Sequence, residues 1–353
     1  MKFLIIKTSA LGDIVQSFPA LSYLRAKFPS AKIDWVVEKP FAEMVQAHPD
    51  VDTVYPIDTQ AWRKKIWGEG TLSQIGHLRK IWKAEQYDAV FDLQGNIKSG
   101  LLLLLVNAKK KVGFGSKTVK ELPNILFTNQ RFNPPTSINI RSDYLYLIQS
   151  FFSDTSSFQD PRKLLRIQPE QVKRIAELLT NPILDGKTKV MVCPGSAWPN
   201  KQLEPQVLTD FLIELQNYLH CSFLFVWGSA EEKKNAQQLH SLFPDRSVCI
   251  DRLPLPVLQN LMERMDYVIA MDSLPLHMAG TTSTATFSIF GPSLAAKFKP
   301  EGERHAAMQG SCPYGRSFVK RCPILRSCPT GSCIRGLSGK TVFEAFQRAF
   351  PKN

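Results

Sequence analysis

Short apolar runs alternate along the chain with longer segments whose apolar residues recur every three or four positions. Phe3-Leu4-Ile5-Ile6 is the first run, as for a strand buried on both faces. Ile14, Phe18, Leu21 and Leu24 follow at helical spacing. Residues 33–37, 51–57 and 89–93 predict further strands, and 41–48, 72–84 and 97–106 predict helices. Such alternation predicts a parallel sheet with helices on both faces. The pattern fades from Lys111 to about Asp160, a stretch holding Pro134-Pro135 and a Ser/Asp/Thr tract at 153–157. It then restarts: 189–193, 223–227, 247–250, 267–271 and 285–290 read as strands, and 205–219, 231–242 and 256–265 as helices.

Two doubly wound α/β halves follow, with a boundary within 155–185. We expect an N-terminal domain over 1–165, a C-terminal domain over 166–338, and a last segment, 339–353, whose helix is free to pack on either half, the N-terminal one included. In open parallel sheets ligands sit beyond the carboxyl ends of the strands. With two such halves the natural site is the cleft between them. The residues just after each strand therefore carry the most information.

After the first strand comes Lys7-Thr8-Ser9-Ala10-Leu11-Gly12-Asp13. One glycine does not make a dinucleotide fingerprint, and no Gly-Lys-Ser/Thr follows as in a phosphate-binding P-loop. Asp13 reads either as a helix N-cap or as a carboxylate aimed at the site as a general base. Asp92 and Gln94, in Phe91-Asp92-Leu93-Gln94-Gly95-Asn96, reach the same site or form a strand-end turn with local hydrogen bonds. In the second half, the 193–201 loop holds small residues that let backbone amides approach a phosphate, and Lys201 supplies charge. Trp227-Gly228-Ser229-Ala230-Glu231-Glu232 places a carboxylate that either binds ribose hydroxyls or complements a helix start. Asp272-Ser273, with His277 about one turn on, suits sugar hydroxyls and phosphate oxygens.

Charge adds a partner class. Lys and Arg number 44 against 31 Asp and Glu, a net charge of +13. Between residues 60 and 120 there are 12 Lys/Arg and four Asp/Glu, including Arg63, Lys64 and Lys65. A solvated helix face explains part of this excess. Such a surface also attracts anions: nucleic acid, phosphates or an acidic membrane face. No nucleic-acid recognition motif accompanies it. Apolar residues at 44% place the chain among ordinary globular proteins. The longest apolar run, Leu101 to Val106, is far short of the roughly 20 residues a bilayer core needs. The opening MKFLIIK lacks a signal-peptide core. We expect a cytoplasmic protein whose membrane contact, if any, is peripheral and electrostatic. Cys193, Cys221 and Cys249 sit in apolar runs, as for reduced core residues. Cys312, Cys322, Cys328 and Cys333, separated by nine, five and four residues, do not fit paired C-x2-C knuckles. They read as reduced or redox-labile loop thiols, with a structural metal as the alternative.

Several of these segments, in this order, resemble the lipopolysaccharide heptosyltransferases of glycosyltransferase family 9: KTSALGDIVQSFPAL (7–21), DWVVE (34–38), AWRKK (61–65), FDLQGNIKS (91–99), WGSAEE (227–232), MDSLPLHMA (271–279) and FGPS (290–293). The resemblance covers about residues 1–295 and leans towards heptosyltransferase I. It implies a GT-B fold, two Rossmann-like doubly wound domains facing a cleft, with the acceptor on the N-terminal domain and the nucleotide-sugar on the C-terminal one. Residue by residue, Asp13 matches the catalytic aspartate. Ser196 and Lys201 match diphosphate-binding positions, Glu232 the ribose-binding acid, and Asp272, Ser273 and His277 the donor-binding motif. Arg63 and Lys64 match basic residues that meet the acceptor, and Gln94 falls on the acceptor side. The chain departs from the pattern at Ala10, Ala197 and Leu274, where relatives often carry Ser, a second hydroxyl and Gly, and in its cysteine-bearing tail.

The implied reaction is an inverting transfer of heptose from ADP-heptose to Kdo of the phosphorylated Kdo2-lipid A, with no metal or cofactor, by a monomer at the cytoplasmic face of the inner membrane. Other readings are a family 9 enzyme for another heptose position or nucleotide-sugar, such as heptosyltransferase II, a sugar-nucleotide epimerase, and a non-catalytic basic nucleotide-binding protein.

Overall fold

The computed structural model describes residues 1–64, 68–135 and 139–352. The chain divides into two compact units, 1–166 and 167–353. The first is a sheet of six parallel strands: β1 (Lys2–Ile6), β2 (Lys32–Glu38), β3 (Thr53–Ile57), β4 (Ala89–Asp92), β5 (Lys111–Phe114) and β6 (Gln130–Phe132). Their order is β3-β2-β1-β4-β5-β6. Helices α1 (Leu11–Gln16), α2 (Phe18–Lys27), α3 (Ala42–Gln46), α4 (Thr59–Lys64), α5 (Glu69–Glu85), α6 (Ile97–Leu105) and α7 (Ile140–Phe151) connect the strands.

Strand β1 shows why its four apolar residues run without a break. Phe3 faces the α2/α7 side, its ring 5.3 Å from Phe28 and 6.0 Å from Phe152. Leu4 and Ile6 face the other way, into a cluster with Trp82, Leu102 and Leu103 from α5 and α6. Both faces are covered, so both must be apolar. The register places Ile6 beside Val36 and Asp92, so the loops after β1, β2 and β4 leave the sheet at one level. Chain order reverses between β1 and β4, the switch point beyond which such sheets bind ligands.

The second unit repeats the plan with β7 (Lys189–Cys193), β8 (Ser222–Phe225), β9 (Ser247–Cys249), β10 (Tyr267–Met271), β11 (Ala285–Phe290) and β12 (His305–Gln309). All pair in parallel, in the order β12-β11-β10-β7-β8-β9. Its helices are α8 (Pro169–Leu179), α9 (Pro205–Leu219), α10 (Ala230–Leu242), α11 (Leu255–Met262), α12 (Leu274–Ala279), α13 (Ala295–Phe298), α14 (Ser332–Arg335) and α15 (Gly339–Ala349). The sequence leaves the partner of the last helix open. The structure assigns it to the second unit, where Phe346 lies 5.4 Å from Phe287 and 6.3 Å from Phe211 of α9.

The stretch where periodicity fades is not a long loop. It holds β5, β6 and α7. LysValGlyPhe and GlnArgPhe are too short to display a strand period. Gly113 adds no side chain to the pattern, because a Cβ there would stand 2.7 Å from Thr128. Helix α7 buries Tyr144, Leu147 and Ile148 at helical spacing, but its flanks carry the proline pair and the Ser/Thr/Asp tract. Strand β12 gives no clear period either: it is an edge strand whose middle residues are only half-buried.

Candidate functional site

The first constellation lies past the carboxyl ends of β1, β2 and β4. The loop after β1 is held from below by Gln94, whose Oε1 accepts hydrogen bonds from the N–H groups of Thr8 (3.1 Å) and Ser9 (3.2 Å). Trp35 Nε1 donates to the Lys7 carbonyl at 3.1 Å, and Glu38 N–H to the Thr8 carbonyl at 3.1 Å. The loop is therefore clamped before α1 begins. Asp13 is not the N-cap: Ala10 takes that place, and Asp13 is the third residue of the helix. Its Oδ2 reaches back to the Ala10 N–H at 3.4 Å, a long contact, and among the described residues this is the carboxylate's one hydrogen bond. The half-buried carboxylate is thus positioned without being saturated.

Asp92 and Gln94 turn out to be internal supports. Asp92 is fully buried. It accepts from Gln94 N–H (2.9 Å), Gly95 N–H (3.0 Å), Ser99 Oγ (2.8 Å) and Asn124 Nδ2 (2.7 Å). Burial pushes its carboxyl up, against the pull of those donors. Gly95 follows at φ +66°, a conformation few other residues adopt at low cost. Gln94, expected on the acceptor side, is 4% exposed and engaged with the loop that carries Asp13.

A second support escaped sequence reasoning. Glu38, at the end of β2, accepts from the Thr59 N–H at 3.1 Å and from the Thr59 hydroxyl, and pairs with Lys98 Nζ at 2.7 Å. It thereby ties the start of α4 to the sheet. Arg63 and Lys64 stand exposed in the last turn of α4, and Trp62 Nε1 donates to Gln74 of α5 at 2.9 Å. Lys65 lies outside the described residues. The acidic end of DWVVE beside a basic segment was a signal for this tether, but nothing in the sequence says which lysine answers it.

The second constellation follows β7, β8 and β10. Lys201, 8% exposed, pairs with Asp272 Oδ2 at 2.5 Å. His277 Nε2 stands 3.6 Å from Asp272 Oδ1. Burial alone would raise the Asp272 carboxyl. The His277 hydrogen bond and the Lys201 charge outweigh it and hold the carboxyl well below the usual carboxylate range. Ser196 lies in the loop after β7, its carbonyl accepting from Gln202 Nε2 at 2.6 Å. Ser273 caps α12 without a side-chain capping bond. Glu232 closes a capping box at the start of α10: its Oε2 accepts from Gly228 N–H (2.7 Å) and Ser229 N–H (3.1 Å), while its own N–H donates to Ser229 Oγ at 3.2 Å. Its Oε1 lies over Gly195, where a Cβ would stand only 2.1 Å away. The structure therefore brings together Lys201, Asp272 and His277 in one group, and Glu232 with the Gly195 loop in another.

The cysteine-bearing tail braces that loop. Asn200 Nδ2 donates to the carbonyls of Leu325 and Cys328, each at 2.9 Å, and the Arg326 guanidinium stacks 4.6 Å from the Trp198 ring. Cys312, Cys322, Cys328 and Cys333 line one small cavity beside Asn200, and all seven cysteines are free. The Gly331 and Thr330 amides hold the Cys328 thiol down, whereas burial pushes Cys333 up to about 11. Among the described residues no group of three or more His, Cys, Asp or Glu is placed to hold a metal ion. Nor is any described helix long and apolar enough to cross a membrane.

Two doubly wound units, each a sheet of six parallel strands, give the GT-B fold seen in the solved heptosyltransferase structures. The description "Glycosyltransferase family 9 (heptosyltransferase)" matches residues 75–326, and the chain belongs to that family. It is 26% identical over 301 residues to lipopolysaccharide heptosyltransferase 1 of Escherichia coli K12, spanning 83% of this chain and 88% of that one. It is 26% identical over 322 residues to the Pseudomonas aeruginosa protein of the same name, spanning 91% and 87%. Among solved structures, E. coli heptosyltransferase WaaC with ADP superposes with a TM-score of 0.74 at 21% identity, covering 99% of this chain and all of that one. A family 9 glycosyltransferase from Veillonella parvula superposes with a TM-score of 0.80 at 16% identity, covering 99% and 96%.

Proposed function

We propose that the protein transfers L-glycero-D-manno-heptose from ADP-heptose to Kdo of Kdo2-lipid A, with inversion and without a metal ion, as a monomer at the cytoplasmic face of the inner membrane. The observation that carries this reading is the clamped, unsaturated Asp13 in a loop that resembles the family's catalytic segment. Relatives named lipopolysaccharide heptosyltransferase 1 over more than four-fifths of the chain support heptose transfer in lipopolysaccharide synthesis.

Asp13 takes the proton of the acceptor hydroxyl as that oxygen attacks the anomeric carbon, and the bond to the ADP oxygen breaks. A general base of this kind contributes about 10²–10⁴-fold. The leaving diphosphate gathers negative charge. Lys201 and the Ser196 loop are the groups we assign to meet it, and electrostatic stabilisation of a leaving group by groups fixed in advance is the larger effect in such sites. Asp272 holds Lys201 in place, with Ser273 and His277 completing the donor group. Glu232 offers Oε1 to the ribose while Oε2 holds the α10 turn. Arg63 and Lys64, exposed on α4, meet the acceptor's carboxylates and phosphates; Gln94 serves the acceptor side through the loop it clamps.

The test is ADP release from ADP-L-glycero-D-manno-heptose with Kdo2-lipid A, with the same lipid already bearing heptose, and with no acceptor. Release with the first alone is expected. Release with the second would assign a later heptose position, and release without acceptor would indicate hydrolysis or an epimerase-like reaction.

A further inference from the structure

Helix α6 leaves an apolar face in solvent. Its inner side, Leu102 and Leu103, packs with Val90 and Trp82 in the core. Ile97, Leu101 and Leu104, spaced four and three residues apart and so on one face, are 42%, 54% and 60% exposed. A 3-10 turn, Leu122–Phe127, packs against α6 and adds Leu122 and Leu126, 58% and 80% exposed. Gly100 lets the two elements approach, since a Cβ there would stand 2.3 Å from the Phe127 ring. Five large apolar side chains therefore project from two elements locked together. Isolated surface leucines need no explanation, but a fixed group of them does. A contiguous apolar face left in solvent marks a surface that a second apolar phase covers.

The surroundings are basic. Lys117 and Lys120, just before the turn, are exposed. So are Arg79, Lys80 and Lys83 on α5, which packs on α6. The acid nearest in sequence to the turn, Glu121, is engaged: its carboxylate accepts from the Ile97 N–H at 2.9 Å, at the start of α6.

We propose that the strip of Ile97, Leu101, Leu104, Leu122 and Leu126 seats the protein on an anionic lipid bilayer. The leucines enter the boundary between headgroups and acyl chains, and the lysines and arginines meet lipid phosphates. An apolar centre with a basic border fits that partner better than a second copy of this chain, whose border would bring like charges together. No described helix can span a bilayer, so the contact lies in the plane of the interface. This inference rests on the peripheral-membrane reading above and names the surface responsible.

Co-sedimentation with phosphatidylethanolamine vesicles containing phosphatidylglycerol, against phosphatidylcholine vesicles, tests it. Wild type is expected to bind the anionic vesicles. A variant carrying Leu101→Gln, Leu104→Gln and Leu126→Gln should lose at least about tenfold in partitioning, with an unchanged thermal transition. Leu126→Gln alone, at the most exposed position, should give a partial loss, and Lys117→Glu with Lys120→Glu should lose most of the salt-sensitive part. If the triple variant binds like wild type, the strip assignment is overturned while the membrane reading stands. If wild type binds no anionic vesicles, both fall. A solution dimer that the triple variant abolishes would make the strip a protein interface and overturn the proposal.

Discussion

Asp13 and Gln94 act through one loop. The Gln94 oxygen satisfies two backbone N–H groups at 3.1 and 3.2 Å, so its loss leaves both without a partner. Gln94→Leu should cost about 1–3 kcal/mol of stability. It should lower kcat more than it raises the KM for donor, because the loop that aims Asp13 loosens. Urea unfolding and steady-state kinetics check the two parts, and an unchanged kcat would remove Gln94 from the account. Asp272 belongs to the same scale. Its folded carboxyl refuses a proton at a pH where the unfolded chain, near about 3.9, accepts one. The stability it contributes is complete above the unfolded value and is lost as pH falls through the folded one. Asp272→Asn leaves the Lys201 charge buried without its partner, so it should cost about 3–5 kcal/mol near neutral pH. It should also show a shallower loss of stability in acid than wild type, as read by denaturant titrations across the acid range.

At the scale of elements, the helix starts and strand ends carry the site. A Cβ on Gly195 would fall on the Glu232 side chain, so Gly195→Ala must displace Glu232. Overpacking of that kind costs about 1–3 kcal/mol. If Glu232 binds the donor ribose, the KM for donor should rise while the KM for acceptor holds. An unchanged KM for donor would leave Glu232 as the cap of α10 alone. Much of this was legible in the sequence. Central strands such as β1, β4 and β7 are unbroken apolar runs because both faces are covered, and the loops after them stood out by contrast. The short β5, β6 and edge β12 were not legible: three to five residues, half-covered, show neither period nor a continuous run. Single residues divide the same way. Asp13, Lys201 and Asp272 could be named from their places after strands. That Gln94 and Asp92 face inward, or that Asn200 binds the cysteine tail through Leu325 and Cys328, depends on partners far away in the chain. No local pattern encodes those.

Over the whole molecule, the +13 net charge and the exposed basic residues of α4 and α5 suit an anionic partner such as the proposed acceptor. Attraction between exposed charges is screened within about 10 Å at 0.1 M salt. Apparent affinity for a phosphorylated lipid acceptor should therefore fall as salt rises, while the buried Lys201–Asp272 pair leaves donor affinity far less affected. Titrations of each substrate at two ionic strengths check this; an acceptor affinity indifferent to salt would contradict the charge argument. Asp13 is proposed as the base of an acceptor-dependent glycosyl transfer. The most direct measurement is ADP release from ADP-heptose, with and without Kdo2-lipid A, by wild type and Asp13→Asn, alongside ADP binding to both. Acceptor-dependent release should fall by about 10²–10⁴-fold in the variant, with ADP affinity unchanged. Release by Asp13→Asn at the wild-type rate would contradict it.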